Sequence, residues 1–423
     1  MLKQLILENW KSFRHAVFDI DPLTVLIGTN ASGKSNALEA LEFLKRTVEG
    51  MNLESALAGD LIIPSIRGGA EWVALKPETQ FTLKVLIQGE DDNTDYLYSI
   101  TVETKPYIQL IAESLIGIKS TLNYKNESPE QEILFQVQTT TASELIEAKI
   151  CGKNIEAKRH FLWHKSILSH LISDPFILFD IEDSEFSKLA KSIFILWQTI
   201  SNIFSIDPIP SKMRSYSPLS KQLQSDASNI AGVLAALPDE EQKQVESTIL
   251  NYVKHLPEKD IQKVWAEPVG RLNSDAMLYC EEQWIPEQPP MLIDARGMSD
   301  GTLRFLGIVA ALMTRPEGSQ LIIEDVDNGL HPSRSELLVK MLREIGTQRK
   351  IDILVTTHNP SLLDALGPEI VPFVVVAHRD KETGESKLTL VEDIQNFSKL
   401  FASASLGKLT ENGAIERSLV RSS

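Results

Sequence analysis

The chain has 423 residues, and 42 Lys and Arg against 58 Asp and Glu give it a formal net charge of −16 at pH 7. This acidic balance argues against passive coating of nucleic acid, and no apolar run reaches the roughly 18 residues that a membrane span needs. Cys151 and Cys280 are too few for a disulfide framework or a Cys-x-x-Cys metal site, and the N-terminus lacks a signal-peptide pattern, so we expect a cytoplasmic protein.

The first fifty residues predict three strands, a loop and a helix. Residues 2–9 and 16–20 have the composition of strands, and the apolar run Leu23–Ile27 is typical of a strand that is buried on both faces. Residues 28–35 interrupt this pattern with glycines and small polar side chains. In 37–44 the apolar residues recur at helical spacing, so strand, loop and helix follow one another directly.

The rest of the chain changes character twice. Residues 80–141 contain alternating and β-branched runs separated by polar turns, which predicts an antiparallel β meander. Residues 155–256 carry apolar side chains at helical spacing and are punctuated by prolines. Helix and strand patterns then alternate over 298–377, which predicts a mostly parallel sheet.

These changes predict one large domain with an insertion. The N-terminal part of the domain covers residues 1–150 and the C-terminal part covers 288–423. Residues 151–287 between them are interpreted as a helical insertion, because helical spacing prevails there and prolines close the segment.

Residues 28–35 read Gly-Thr-Asn-Ala-Ser-Gly-Lys-Ser and match the phosphate-loop pattern G-x-x-x-x-G-K-S. The glycines permit backbone angles that other residues avoid, and a helix that begins near Gly33 points its positive end at a bound phosphate. Lys34 is predicted to neutralise the β- and γ-phosphates and Ser35 to bind Mg²⁺. The alternative is a glycine-rich turn with a solvated lysine. The remaining predicted nucleotide contacts in this region are Asn30, Ser32 and Asn36.

Two carboxylates follow an apolar run that is predicted to be a buried strand. Glu324 and Asp325 come directly after Leu-Ile-Ile, where a charged pair is costly unless a cation faces it. We predict that Glu324 binds Mg²⁺, directly or through water, and that Asp325 polarises the attacking water. The alternative is an acidic pair that is solvated or that caps the next helix.

Two further segments point to an anion. Ser299, Gly301 and Thr302 open a predicted helix, whose start offers a hydroxyl and free amides, although an ordinary helix cap has the same pattern. His358 follows the predicted strand at 351–355, where a histidine can contact a γ-phosphate. The alternative there is a structural histidine.

These segments, together with Asn-Trp-Lys-Ser-Phe near the N-terminus, occur in one order: 9–13, 28–35, 298–302, 323–332 and 356–359. This order resembles the ABC-type ATPase heads of the RecF/SMC/OLD group, most closely the bacterial AAA15/AAA21 ATPases of phage-defence operons. The resemblance implies an α/β fold, namely an ABC-type P-loop ATPase head with a mostly parallel core sheet and an antiparallel β lobe, here carrying a helical insertion.

The resemblance also implies roles for residues in the C-terminal part. Ser299, Gly301 and Thr302 match a signature motif that engages the γ-phosphate of ATP bound by a second subunit. Residues 328–331 match a loop that crosses the dimer interface, and His358 matches a switch histidine. The implied assembly is a homodimer, or a higher homo-oligomer, that holds ATP and Mg²⁺ between its heads.

In the N-terminal part, Lys11 and Arg14 lie in a segment that the family places near the nucleotide. The family usually has Glu where this chain has Asp325, which is one methylene shorter, so hydrolysis is expected to be slow. A lid glutamine is usual in such heads, and Gln80 and Gln88 are both candidates for it.

The biological role admits alternatives. We interpret the head as the sensor or regulator of a separately encoded effector, such as a nuclease or another toxin, in antiviral defence. The motivation is that the sequence ends soon after the last predicted strand, where OLD-type relatives continue with a nuclease domain. A RecF-like DNA-binding repair ATPase is the alternative, although acidic residues outnumber basic ones in 151–287. The length of the insertion and the form of the signature disfavour a transporter subunit.

Overall fold

The computed structural model describes residues 1–61, 63–120, 129–140, 145–151, 156–174, 183–254, 261–285 and 287–419. The strands are β1 (Leu2–Trp10), β2 (Phe13–Asp19), β3 (Leu23–Ile27), β4 (Gln80–Gln88), β5 (Thr94–Glu103), β6 (Gln109–Lys119), β7 (Glu130–Thr140), β8 (Leu145–Cys151), β9 (Glu156–Leu162), β10 (Ile203–Ile206), β11 (Ser217–Pro218), β12 (Ile261–Val269), β13 (Asp275–Glu282), β14 (Met291–Asp294), β15 (Gln320–Ile323), β16 (Asp352–Thr356), β17 (Val374–Arg379) and β18 (Ser386–Leu390). The helices are α1 (Lys34–Val48), α2 (Leu53–Ala58), α3 (Ile167–Ser173), α4 (Asp183–Ser201), α5 (Pro210–Met213), α6 (Ile230–Ala235), α7 (Asp239–Val253), α8 (Asp300–Thr314), α9 (Ser335–Arg349), α10 (Pro360–Ala365), α11 (Phe397–Phe401), α12 (Leu406–Glu411) and α13 (Ala414–Leu419).

The chain forms two compact units, and each takes segments from distant parts of the sequence. The first unit consists of residues 1–21, 28–203 and 375–389. The second unit consists of residues 22–27, 204–374 and 390–423. Strand β3 therefore belongs to the second unit, whereas the loop and the helix that follow it belong to the first.

The first unit contains an eight-stranded sheet in the order β2-β1-β4-β5-β6-β7-β8-β9 with antiparallel neighbours. In β4 and β5 every second residue is buried, so apolar side chains cover one face of the sheet. The expected antiparallel lobe is thus confirmed, with β4 to β7 forming the predicted meander.

Helix α1 packs against this sheet through three aromatic side chains that are almost completely buried. The ring centroid of Trp10 lies 4.9 Å from that of Phe81 and 5.9 Å from that of Phe43, and Phe43 and Phe81 are 5.5 Å apart. Two of the three pairs meet edge to face, a favourable arrangement for aromatic rings. The cluster fixes α1 against the end of β1.

The second unit contains strands β10, β15, β16 and β3, which lie side by side in that order. Strands β15, β16 and β3 are parallel, with Ile323 opposite Val355 and Val355 opposite Val25. These strands are almost entirely buried, as their apolar sequences predict. Because parallel strands end at one edge of a sheet, Ile323, Thr356 and Ile27 lie at the same edge.

Helix α8 lies in the second unit, and its residues 301–313 are all buried. It packs against β15 and against helices α7 and α9. Its length and apolar character reflect this burial inside a globular unit. Across the described part of the chain, no helix is both long and apolar enough to cross a membrane.

The segment 151–287, expected to be helical, contains strands β9 to β13 beside helices α3 to α7. Strands β12 and β13 pair antiparallel, and β11 and β14 both pair with β13. The pattern of β12 is hard to recognise in the sequence because a bulge between Ile261 and Lys263 shifts its alternation by one residue. Pro268 near the end of the same strand adds to the ambiguity, since proline is rare in strands.

One buried carboxyl group joins the sheet of the first unit to a helix. The carboxylate oxygens of Glu113, on β6, accept hydrogen bonds from the backbone N–H groups of Ile167 (2.6 Å) and Leu168 (3.0 Å) and from the Tyr98 hydroxyl (2.9 Å). Burial raises the pKa of Glu113 to about 7, although these hydrogen bonds oppose the shift. Glu113 is therefore a titrating group in the core at neutral pH.

The raised pKa predicts a pH dependence of folding stability. The usual pKa of this carboxyl is 4.5, so the unfolded chain releases the proton first, and the contribution of Glu113 is complete below that value and lost as the pH rises through about 7. Urea unfolding at about pH 5 and pH 8 should show a loss of stability that Glu113→Gln removes and that exposed Glu54→Gln does not. An identical pH dependence in the wild type and in Glu113→Gln would contradict this assignment.

Candidate functional site

The phosphate loop connects β3 to α1, and both of its glycines are required by close packing. Gly28 has φ +143°, and a Cβ placed on it would lie 2.2 Å from the carbonyl oxygen of Ala377. Gly33 has φ +115°, and its Cβ would lie 2.7 Å from Ser386 Oγ. Both conformations favour glycine, and neither position has room for a side chain. The pattern G-x-x-x-x-G thus corresponds to two close contacts within the first unit, one with a backbone oxygen and one with side chains.

The polar groups of the loop suit an anion. Lys34 is nearly buried, and its Nζ donates to the carbonyl oxygens of Gly28 (2.8 Å) and Thr29 (3.2 Å). Ser32 Oγ is also buried and has no hydrogen-bond partner among the residues that the structure describes. Helix α1, which is described throughout, has no side-chain cap and no acidic residue in its first turn. An ammonium, an unpaired hydroxyl and uncapped amides at a helix start fit a phosphate group.

The remaining predicted contacts of the loop occupy its tip and the first turn of α1. Asn30 is exposed, and Ser35 is half-buried. Asn36 is engaged within the protein, because its Nδ2 donates to Ser12 Oγ at 2.8 Å. The nucleotide contact expected of Asn36 stays a prediction, whereas its structural contact is defined.

A small hydroxyl network explains the Trp-Lys-Ser-Phe segment. Ser386 Oγ donates to Ser12 Oγ at 2.8 Å, and the Ser386 N–H donates to the Ser12 carbonyl at 2.7 Å. Trp10 Nε1 donates to the backbone carbonyl of Asn36 at 2.6 Å. The segment after β1 therefore holds the first turn of α1, and through it the phosphate loop, in place.

Lys11 and Arg14 bind carboxylates of the first unit. Lys11 forms an ion pair with Glu39 on α1, and burial lowers the pKa of Lys11, with the Glu39 contacts opposing that shift. Arg14 pairs with Glu78 at 2.7 Å and with Glu385 at 3.2 Å. Their expected approach to the nucleotide stays a prediction.

Arg379 is a contact of the phosphate loop that sequence reasoning missed. Its Nε donates to the carbonyl of Ala31 at 2.9 Å, and its Nη1 donates to the carbonyl of Gly384 at 2.7 Å. The next N–H, that of Ser32, donates to the carbonyl of Thr29 at 3.2 Å, so both sides of the Ala31–Ser32 peptide are hydrogen-bonded. Nothing in the local sequence marks Arg379, which lies 348 residues from its partner.

In the second unit, Asp325 is held by the neighbouring strand. Its backbone N–H donates to Thr356 Oγ1 at 2.8 Å, and the Val326 N–H donates to the Thr356 carbonyl at 3.0 Å. Asp325 has φ +43°, an uncommon conformation that aspartate tolerates better than most residues. Glu324 directly follows β15 and is half-buried, so the two carboxylates emerge at the edge where the parallel strands end.

The Thr-Thr-His-Asn segment supports this edge. Thr357 Oγ1 donates to an oxygen of the Asp327 carboxylate, and the Asn359 N–H donates to Thr357 Oγ1 at 3.0 Å. His358 between them is exposed. The sequence drew attention to His358, but Thr356 and Thr357 make the contacts that position the acidic loop. Two consecutive threonines at the end of a buried strand were the sequence signal that could have identified these positioning residues.

The signature segment begins α8 and contacts the 328–331 loop. Ser299 Oγ accepts from the Thr302 N–H at 3.1 Å and lies 2.8 Å from Thr302 Oγ1. A Cβ on Gly301 would lie 2.5 Å from Nη1 of Arg334 and 3.2 Å from the carbonyl oxygen of Gly329. Glycine at 301 therefore makes room for Arg334, and the second unit brings the signature and this loop together.

The strand order places the carboxylates within the second unit. Strand β16 lies between β15, which ends before Glu324, and β3. All three strands run in parallel, so Ile323, Thr356 and Ile27 lie at the same edge of the sheet, where Glu324 leaves it. In the described residues no group of three or more His, Cys, Asp and Glu side chains forms a metal site of its own.

The sequence matches the family described as AAA ATPase domain over residues 1–363. Two solved structures are similar in fold: an SMC head bound to the C-winged helix domain of ScpA has a TM-score of 0.51 and 11% identity, covering 92% of this chain and 96% of that one. The other is an SMC head with an extended coiled coil bound to the C-terminal domain of ScpA from Pyrococcus furiosus. Its TM-score is 0.50 at 10% identity, and the coverage is 95% of this chain and 99% of that one. No curated protein matches the chain. The expected ABC-type head fold is confirmed.

The packing of Gly28 predicts a large effect of a small substitution. In Gly28→Ala the new methyl group meets a backbone oxygen that is part of β17, so we expect a loss of at least about 2 kcal/mol in the free energy of unfolding. Gly50→Ala is the matched control, since Gly50 has φ +96° but open space around its Cβ. It should lose only about 1 kcal/mol. Equal losses in the two variants, measured by urea unfolding, would show that packing at Gly28 is unimportant.

Proposed function

The chain belongs to the family of AAA ATPase domains, and from this premise we propose that two copies bind ATP between them, hydrolyse it and thereby regulate a separate effector protein. The coarse activity follows from the family and the fold, which are those of an ATPase of the ABC/SMC type. The observation that carries the proposal is the phosphate loop, in which a buried lysine and a buried unpaired hydroxyl lie beside an uncapped helix start.

Phosphoryl transfer needs positioning and charge stabilisation more than covalent chemistry. Lys34 and the amides of the phosphate loop hold the triphosphate. Mg²⁺, when bound, neutralises phosphate charge, and the Ser35 hydroxyl and the Glu324 carboxylate are the oxygen ligands that it prefers. Asp325 orients the attacking water, and the hydroxyl of Thr356 fixes the loop that carries it. Since aspartate is shorter than glutamate, we expect slow hydrolysis.

A second copy completes this site in the proposal. The capping residue Ser299 and the first residue of α8, Asp300, are exposed, whereas the next residues of the helix are buried. The positive start of α8 is therefore accessible to an anion presented from outside the chain. Ser299, Gly301 and Thr302 would contact the γ-phosphate of ATP bound to the other copy. His358, exposed at the strand edge, would respond to that phosphate.

The effector is the part of the proposal that comes from the resemblance to defence ATPases. The two similar SMC heads are bound to ScpA domains, and this chain is proposed to bind a different partner, a nuclease or another toxin, in the cytoplasm during antiviral defence. No described feature favours DNA binding, and the net charge of −16 opposes it. DNA binding is therefore the alternative that the purification experiment described below must distinguish.

The contact between Thr356 and Asp325 predicts a catalytic effect. Thr356→Val keeps the side-chain shape but removes the hydroxyl that accepts the Asp325 N–H, so the acidic loop loses its position. We expect kcat for ATP hydrolysis to fall about tenfold while KM changes less than about threefold, because binding depends on the phosphate loop. Thr356→Ser should retain most of the rate. A large rise in KM alone would contradict the positioning role.

The shared site predicts complementation between two inactive variants. Lys34→Ala cannot hold the triphosphate, and Ser299→Arg blocks the signature, so each protein alone should lack ATP hydrolysis. In a mixture, half of the dimers pair the two proteins and contain one intact site, formed by Lys34 of one copy and Ser299 of the other. Partial recovery of phosphate release is expected on mixing. Mixed dimers without any recovery would argue for a site that lies within one chain.

The effector role is tested by recovering the tagged protein from its native host with either ATP or ADP. We expect a stoichiometric protein partner whose binding depends on the nucleotide, identified by mass spectrometry. The Lys34→Ala variant is the control, since it should not respond to ATP. Recovery of DNA without a protein partner would instead favour a repair or DNA-sensing ATPase.

A further inference from the structure

A residue far from the signature in sequence holds the signature in place. Arg214 directly follows helix α5, and its Nη2 donates to the carbonyl oxygen of Met298 at 2.7 Å. The same nitrogen lies 2.8 Å from Oδ1 of Asp300. Arg214 Nη1 donates to the carbonyl of Pro210 at 3.1 Å, which orients the guanidinium. Met298 and Asp300 flank the capping residue Ser299, so Arg214 contacts both sides of the cap.

The same stretch of chain is attached to α8 at a second point. Arg304, one turn into α8, is nearly buried, and its Nη2 donates to Asp207 at 2.6 Å. Its Nη1 donates to the carbonyl of Pro208 at 3.1 Å. Residues 207–214 therefore run along the first turns of α8 and are fixed there by two arginines. This attachment limits the freedom of Arg214 to move away from the signature.

The negative charge of Asp300 would repel a phosphate at the start of α8, and Arg214 neutralises it. A carboxylate in the first turn stabilises a helix, but it occupies the positive potential that a phosphate would use. Asp300 has 74% of its side chain exposed, so its charge faces any approaching anion. At a few ångströms, two like charges repel each other appreciably even near water. With Arg214 beside Asp300, the net charge of the pair is zero and the potential of the α8 start is restored.

We propose that Arg214 is a positioning residue of the signature surface, which neutralises Asp300 and fixes the Met298 carbonyl so that α8 accepts the triphosphate held by a second copy. The inference rests on the proposed ATP-bound dimer. The inference gives the segment 151–287 a function. This segment supplies the Arg214 guanidinium, which balances the Asp300 carboxylate so that the signature can accept an anionic ligand.

The geometry argues for a functional role over a purely stabilising one. The side chains of Arg214 and Asp300 are 27% and 74% exposed, and such surface pairs contribute little to folding. Removal of Arg214 should therefore leave a folded protein. The same removal should weaken the binding of the triphosphate held by the second copy. Each of the two sites in a symmetric dimer would then contain an Asp300 carboxylate without its cation.

The test measures dimerisation by sedimentation with the non-hydrolysable analogue AMP-PNP and Mg²⁺. At about 50 mM salt, Arg214→Ala should weaken the dimer on the order of tenfold, and at about 500 mM salt less than about threefold, because salt screens exposed charges. Binding of AMP-PNP to the monomer should not change. Lys212→Ala is the matched control: Lys212 lies two residues before Arg214, on α5, and pairs with Asp226 at 3.0 Å. It should dimerise as the wild type does.

Further variants separate charge from hydrogen bonding and from folding. Arg214→Lys keeps the charge and should stay within about threefold of the wild type, whereas Arg214→Gln keeps a donor for Met298 and should fail as Arg214→Ala does. The double variant Arg214→Ala/Asp300→Asn removes both charges and should recover to within about threefold of the wild type. A misfolded Arg214→Ala would not recover in this way.

The outcomes distinguish this inference from the proposed function. If the wild type does not dimerise with AMP-PNP, the ATP-bound dimer is wrong and the inference fails with it. If the wild type dimerises and Arg214→Ala does so equally well, only the inference is wrong. A defect that persists in the double variant, or that is the same at both salt concentrations, also overturns the role of charge.

Discussion

The phosphate loop depends on two positions that have no room for a side chain. Gly28 packs against the carbonyl of Ala377 and Gly33 against Ser386, so residues near the start of the chain are in contact with residues near its end. The hydroxyls of Ser12 and Ser386 and the guanidinium of Arg379 continue this contact. The first unit must therefore contain both segments, and a local change in either one alters the loop that would hold a phosphate.

In the second unit, hydroxyl groups hold the acidic loop that follows a buried strand. A carboxylate pair at the end of β15 needs fixed geometry to be useful, and Thr356 on the neighbouring strand supplies it through the backbone of Asp325. The hydroxyl of Thr357 donates to the carboxylate of Asp327 and holds that side chain directly. Short hydroxyl side chains suit this task because they bind backbone and carboxylate groups without adding a competing charge. The loop from 325 to 331 is thereby ordered next to the signature.

Arginines perform the corresponding task around helix α8. Arg304 attaches the helix to residues 207 and 208, Arg334 lies against Gly301, and Arg214 contacts both sides of Ser299. Their planar guanidinium groups offer several donors in a fixed geometry, and Arg214 and Arg304 each use two nitrogens. These contacts fix the start of α8 and balance the charge of Asp300, and the proposed ATP-bound dimer would place an anion there.

The sequence by itself determined what short-range patterns encode. The phosphate loop, the buried strands and the acidic pair are each defined within about ten residues by composition and spacing. Their order resembles that of ABC-type ATPase heads, and this resemblance implied the fold that the structure has. The alternating runs of 80–141 separately predicted the antiparallel lobe. Tertiary structure alone decided the contacts between distant segments: Arg214 with Met298 across 84 residues, Asp325 with Thr356 across 31, and Glu113 with the start of α3 across 54. It also decided that strands accompany the helices of 151–287, where a bulge interrupts the alternation of β12. The physical reason is that periodicity reports which face of an element is buried, whereas a partner for a polar group is chosen only when the elements pack.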